Sequence, residues 1–409
     1  MDGNQMKSCL SAILLMLIVG FDQGRAQPPK PIRFATFNVS LAASGAGELI
    51  DRLKSGRDEQ AISIAQIIRK VRPDVLLMNE FDYDPDGQAL NIFKEMYLSN
   101  HNLTGSSVST QPIEYAYAFS QETNTGVASG HDLDNDGVCT ESAGSPDYAR
   151  DCKGFGFYPG QYGMVLLSRL PIDTKGIRTF RHFRWKEMPA AKLPQDPTSG
   201  SAWYSPAELQ DLPLSSKSHW DVPIHLGPHT IHVLASHPTP PVFDGPEDRN
   251  GCRNFDEIRF FVDFVQPERA GYIRDDGGTA GGLPAGSMFV VLGDLNSDPQ
   301  DGDSSAVVQW FSSGLVSLEP IPASKGGEQA STEDGGRNAE HSGNPAQDTS
   351  RFPSSRGPGN LRLDYALSSK ALQVNDAGVF WPAKSEDRLL HELTNASDHR
   401  LVWIDIEAP

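Results

Sequence analysis

Apolar residues in this chain come in short runs broken by polar clusters. Ile32 to Val39 alternates and is partly β-branched, which predicts a strand ending at Asn38. Ala61, Ile64, Ala65, Ile68 and Val71 recur at the helical period, so Asp58 to Val71 predicts an amphipathic helix that Pro73 stops. Val75 to Met78 is continuously apolar, so Asp74 to Asn79 predicts a strand covered on both faces, with Glu80 at its end. Gln88 to Ser99 predicts a second helix. Further strands are predicted at Tyr115 to Phe119, Gln161 to Ser168, Thr230 to Ser236, Leu361 to Leu367, Val374 to Trp381 and Arg400 to Ile406. Asn254 is placed to cap a helix over Phe255 to Val265, with Glu257 in its first turn, and another helix is predicted around Ser304 to Phe311. The clearest strand is Met288 to Leu292, which runs into Gly293-Asp294-Leu295-Asn296. In extended chain Asp294 and Asn296 point to the same side.

Strands and helices alternate early, and strands dominate later. That order predicts an α/β protein of mixed sheets covered by helices around one contiguous core. No linker divides the chain, so residues 30–409 read as one domain with insertions at about 121–160, 181–223 and 323–359. The last of these is poor in apolar residues and reads as a long mobile surface loop.

The chain of 409 residues carries Lys+Arg 35 against Asp+Glu 53, a net charge of −18. That balance argues against a protein that grips long nucleic acid through a broadly basic surface. Arg178, Arg181, His182, Arg184 and Lys186 form one basic, aromatic-interleaved stretch, either a solvated face or a contact for phosphates. At the N-terminus, Lys7, the apolar run Leu10 to Val19 and Gly24-Arg25-Ala26 predict a secretory signal peptide over residues 1–26. The run is short for a membrane span. The mature chain is therefore expected outside the cytoplasm, extracellular or periplasmic, without a stable membrane span.

Cys9 would leave with the leader. Export favours a disulfide among Cys139, Cys152 and Cys252. A Cys139–Cys152 bridge would close a short loop, while Cys252 could pair with either or stay free.

Asp132-x-Asp134-x-Asp136-Gly137 has the front half of a calcium loop, with the Val138 carbonyl as a further ligand. Ala143 stands where an EF-hand needs its glutamate, so the expectation is a structural Ca²⁺ loop of another kind, against a solvated acidic loop.

Asn38, Glu80, His237, Asp294, Asn296, Asp364, Asp398 and His399 all end or adjoin predicted strands. Carboxylates, amides and imidazoles in one place are the groups that metal-assisted phosphoryl chemistry uses. The pieces Phe34-Ala-Thr-Phe-Asn38-Val, Asp74-Val-Leu-Leu-Met-Asn-Glu80, Tyr162-Gly-Met-Val-Leu-Leu-Ser-Arg169, Ser236-His237-Pro, Gly293-Asp294-Leu-Asn296-Ser-Asp-Pro, Leu363-Asp364-Tyr-Ala-Leu-Ser and Ser397-Asp398-His399 resemble the endonuclease/exonuclease/phosphatase superfamily. They keep that superfamily's order from Ile32 to Ile406.

The resemblance implies a four-layer α/β/β/α sandwich of the deoxyribonuclease I-like kind. It implies Mg²⁺ or Mn²⁺ on Glu80, with Asn38 and Asp398 completing or flanking the metal site. It implies His237 and His399 around the scissile phosphate, Asp364 holding His399, and Asp294 with Asn296 orienting water and phosphate. The implied substrate is a phosphoester, either nucleic acid or a small phosphodiester. A phosphomonoester, a phospholipid headgroup and a non-catalytic binding role on the same scaffold remain the alternatives. Protein partners are not legible in the sequence.

Overall fold

In the computed structural model, residues 30–103, 105 and 108–409 are described. The expected leader, residues 1–26, and Cys9 lie outside the described residues. The chain opens with β1 (Ile32–Leu41), α1 (Glu48–Lys54), α2 (Glu59–Val71) and β2 (Val75–Phe81). Then come α3 (Gln88–Ile92), β3 (Tyr117–Phe119), α4 (Pro146–Arg150), β4 (Met164–Ser168), β5 (Arg178–Thr179) and α5 (Glu208–Asp211). The hairpin β6 (His219–Leu226) and β7 (His229–Ser236) leads to α6 (Arg249–Phe264), β8 (Met288–Asp294), α7 (Val308–Ser313) and α8 (Lys325–Asp334). The remainder is β9 (Ser350–Arg351), β10 (Asn360–Leu361), β11 (Asp364–Ser368), β12 (Val374–Val379), α9 (Arg388–Leu393) and β13 (Val402–Ile406).

The strands form two mixed sheets, ordered β12-β13-β1-β2-β4-β3 and β11-β8-β7-β6-β5, with β9 and β10 as a separate ribbon. Period-two alternation sorts their side chains. Phe34, Leu77 and Leu166 of the first sheet meet Trp220, Val233 and Leu292 of the second in one shared apolar layer. Phe37 and Met78 face the other way, onto Ile64 and Ile68 of α2. Leu234 and Val291 likewise face Phe260, Phe264 and Trp310. Three apolar layers between four layers of structure make the α/β/β/α sandwich.

Several local expectations are corrected. The segment 323–359 is folded, not a loose loop: it holds α8, two tight helical turns and β9. Its packing uses small and polar residues, which carry no hydrophobic signal. A Cβ on Gly326 would lie 2.2 Å from the Trp381 carbonyl oxygen, and one on Gly327 2.3 Å from that of Pro345. The stretch 181–223 contains most of β6. Pro223 is tolerated there because Asp173 N donates to its carbonyl, and that edge asks no donor of Pro223. Asn254 does not cap α6, which begins at Arg249. Its buried side chain donates instead to the carbonyls of Thr239 and Leu295. Glu257 is also inside the helix, accepting from Ser216 N and Thr239 N. The helix expected over Gln88 to Ser99 continues past α3 as a wider π-helical segment, Phe93–Leu98.

Candidate active site

The sheets bring their polar strand ends to one rim. Parallel β1 and β2 finish together, with Asn38 paired to Asn79 and Glu80 next in line. In the second sheet β11 runs antiparallel to β8, so Asp364 at its start pairs with Asp294 at the end of β8. His237 follows β7, the parallel neighbour of β8. Gly293 permits that approach: a Cβ there would lie 2.1 Å from the Ser236 carbonyl oxygen.

Asn38 links the two sheets. Its side-chain nitrogen donates to Glu80 Oε1 and to Asp294 Oδ2, each at 3.0 Å. Asp294 Oδ2 also lies 3.5 Å from His237 Nε2 and 3.6 Å from His399 Nε2. His399 Nδ1 is 2.8 Å from Asp364 Oδ2. Ser397 Oγ donates to the Asn38 carbonyl and accepts from His399 N, joining the last loop to the end of β1. Asp398 is exposed beside this cluster and accepts from Ser40 Oγ at 2.9 Å.

Asn296 departs from the expected pairing with Asp294. It adopts a left-handed backbone, φ 50°, so the two side chains do not alternate as in a strand. Its backbone N–H donates to Asp294 Oδ1, while its amide nitrogen donates to the Pro238 carbonyl and braces the loop after His237.

Burial divides the ionisable groups. It raises the Glu80 and Asp294 carboxyls, the latter to about 6. Burial also holds His237 well below the usual imidazole range, helped by the Lys217 and His399 charges. At His399 burial acts in the same sense, but the Asp364 and Asp294 carboxylates outweigh it and hold the ring well above its usual range. The two rings are therefore biased in opposite senses, His237 toward its neutral form and His399 toward its charged one.

The donor set suits a hard divalent cation. Asp364 and His399 are committed to each other and Asp294 lies against both histidines, which leaves Glu80 as the enclosed ligand, with Asp398 and the Asn38 oxygen at its side. Two or three oxygen ligands plus waters are what Mg²⁺ or Mn²⁺ takes. Asn38 stands here as a donor between carboxylates, with its oxygen accepting from Ser40 N. Ligation through that oxygen requires its amide to turn over.

Comparison with known proteins bears on this geometry. The model of the Endonuclease/Exonuclease/phosphatase family matches residues 35–399. The chain belongs to this family. Among solved structures it resembles an endonuclease/exonuclease/phosphatase from Beutenbergia cavernae, at 18% identity and TM-score 0.48, covering 93% of this chain and 72% of that one. Sphingomyelinase C from Streptomyces griseocarneus matches at 14% identity and TM-score 0.44, covering 92% of this chain and 99% of that one. A beta toxin mutant from Staphylococcus aureus, described with bound magnesium ions, matches at 13% identity and TM-score 0.44, over 92% of this chain and 99% of that one. No curated protein matches.

Within this endonuclease/exonuclease/phosphatase chain, the other sequence candidates lie apart from the rim cluster. Asp132, Asp134 and Asp136 do converge, but their oxygens accept from the loop's own N–H groups, and Arg150 Nε takes Asp134 at 2.6 Å. Val138 is exposed at the end of that turn. Cys139, Cys152 and Cys252 are free thiols, so the Cys139–Cys152 bridge is not formed. Cys152 is buried and turned to the Tyr148 carbonyl, 3.2 Å away, while Cys139 is exposed. The three arginines of the basic stretch are paired: Arg178 with Asp275, Arg181 with Glu122 and Arg184 with Glu187.

Two site residues escaped sequence reading. Thr349 Oγ1 donates to Asp364 Oδ2 at 2.8 Å, from the segment expected to be loose. Lys217, just ahead of β6, is buried within the electrostatic reach of Glu80, Asp294 and His237. Neither sits in an apolar periodic run, so neither gave a signal.

Proposed function

We propose that this protein is a divalent-metal-dependent phosphoesterase that hydrolyses phosphodiester bonds outside the cytoplasm, after loss of its leader. The observation that carries the reading is Asp294 standing within 3.6 Å of both His237 Nε2 and His399 Nε2 while Asp364 orients His399. A burial-raised carboxylate is a better proton acceptor than an ordinary one, which suits Asp294 to activate water. His399, held charged by Asp364, suits donation to oxygen as negative charge develops. His237, kept neutral, donates through one ring nitrogen without adding charge. A bound Mg²⁺ or Mn²⁺ would neutralise charge developing on the phosphoryl oxygens.

The chain's acidic balance favours small phosphodiesters or short nucleic acid over long duplex. Hydrolysis of bis-p-nitrophenyl phosphate with Mg²⁺ or Mn²⁺, abolished by chelator, tests the reading. Absence of turnover with every divalent ion would remove it. Faster release from p-nitrophenyl phosphate than from the diester would transfer the activity to phosphomonoesters.

A further inference from the structure

Lys217 sits in the loop between α5 and β6 and is 7% exposed. Among the described residues its ammonium has no hydrogen bond and no carboxylate oxygen within 4.0 Å. The neighbouring charges are already committed. Glu257 Oε1 accepts from Ser216 N and Oγ, and its Oε2 accepts from Thr239 N. Arg253 donates to the carbonyls of Leu214, Pro213 and Lys153.

The loop itself is clamped. Asn124 N donates to the Lys217 carbonyl at 3.0 Å, and Asn124 Nδ2 donates to the Ser215 carbonyl at 2.8 Å. On the other side, Gly154 packs so close that a Cβ would lie 1.9 Å from the Ser216 carbonyl oxygen. The β6–β7 register pairs His219 with Ser236, so this rigid loop runs alongside His237 and holds its ammonium within the field of Glu257, Glu80 and Asp294. An anionic substrate has to settle close to the Glu80 and Asp294 carboxylates, and Lys217 is the buried cation near them that has no hydrogen-bond partner among the described residues.

We propose that Lys217 is a phosphate-binding residue of this site, donating its ammonium N–H groups to a nonbridging oxygen of the scissile phosphoryl group. The inference rests on the phosphoesterase reading above and adds a residue to it. One such cation offsets repulsion between the phosphate and the Glu80 and Asp294 carboxylates. It also contributes charge-assisted hydrogen bonds that shorten and strengthen as charge builds on the phosphoryl oxygens.

Inorganic phosphate is the probe, titrated calorimetrically in Mg²⁺ buffer into wild type, Lys217→Met and Lys217→Arg. Lys217→Met should weaken phosphate about 10- to 100-fold, the worth of a hydrogen bond to a charged group. Lys217→Arg should recover most of that loss, and kcat/KM for bis-p-nitrophenyl phosphate should follow the same order. If Lys217→Met fails to fold, the ¹³Cε resonance of Lys217 in wild type, assigned through Lys217→Arg, should move on phosphate addition. Equal phosphate affinity in wild type and Lys217→Met, or an unmoved resonance, overturns the proposal. Tighter Mg²⁺ binding with unchanged phosphate affinity overturns it too, by showing a counter-charge to the carboxylates. A wild type that binds phosphate through Lys217 without hydrolysing esters would sink the phosphoesterase reading and leave this one standing.

Discussion

Asp364 Oδ2 and His399 Nδ1 are 2.8 Å apart, and that contact decides which ring nitrogen faces the cleft. With Nδ1 donating to the carboxylate, Nε2 is turned toward Asp294. Asp364→Asn should lower kcat about 10²- to 10⁴-fold, the usual worth of a positioned acid or base. KM and the melting temperature should change little. Thr349→Val, which removes one donor to Asp364, should cost less. Steady-state kinetics with circular dichroism melts check both, and a large melting loss would make the pair structural.

The two histidines should titrate on opposite sides of the ordinary imidazole range. In the metal-free protein, ¹H–¹⁵N spectra should show His399 still charged above pH 6.5 and His237 still neutral well below it. His399 has a folded pKa above its unfolded value, so its protonation stabilises the fold below about pH 6.5. That contribution is lost as pH rises through the folded pKa. Asp364→Asn should bring the His399 titration down.

Glu80→Gln should abolish most turnover and remove the rise in melting temperature that Mg²⁺ gives wild type. In chelator the variant should melt at or above wild type, because burial disfavours the Glu80 charge. A strong melting loss in chelator would show Glu80 to be a structural residue.

Gly293→Ala should destabilise the protein by several degrees and reduce activity with it. The added methyl would meet the Ser236 carbonyl, at 2.1 Å for its Cβ, and push β8 away from β7. An unchanged melting temperature would show that the strands give way freely.

Asp348 should be a pH-dependent weak point. Burial raises its carboxyl to about 8, and the Asp298 and Asp301 charges add to that shift. A carboxyl with a raised folded pKa costs stability as it ionises, so the cost grows from about pH 4 up to that value. Asp348→Asn should therefore melt above wild type at pH 8, with the difference shrinking toward pH 4. Parallel melting curves across that range would contradict it.

The site was legible wherever its residues close an apolar strand. Asn38, Glu80, His237 and Asp294 each follow a buried run, and the run's end fixes where the side chain emerges. Asp364 and His399 were legible from the pieces Leu363-Asp364-Tyr and Ser397-Asp398-His399. Periodicity failed where packing is done by small and polar residues, as around Gly326 and Gly327. It also failed inside α6, where Asn254 and Glu257 serve distant backbone groups rather than their own helix.

By itself the sequence determined the strand ends, their order and the chemical types gathered there, because hydrophobic period and chain breaks are local properties. Tertiary structure alone decided that Asn38 spans the two sheets, that Thr349 supports Asp364, and that the Lys217 ammonium has no hydrogen-bond partner among the described residues. It also decided that the two histidines are biased in opposite senses, since burial and neighbouring charge depend on which distant segments meet. Those are contacts between residues far apart in the chain, and no local pattern encodes them.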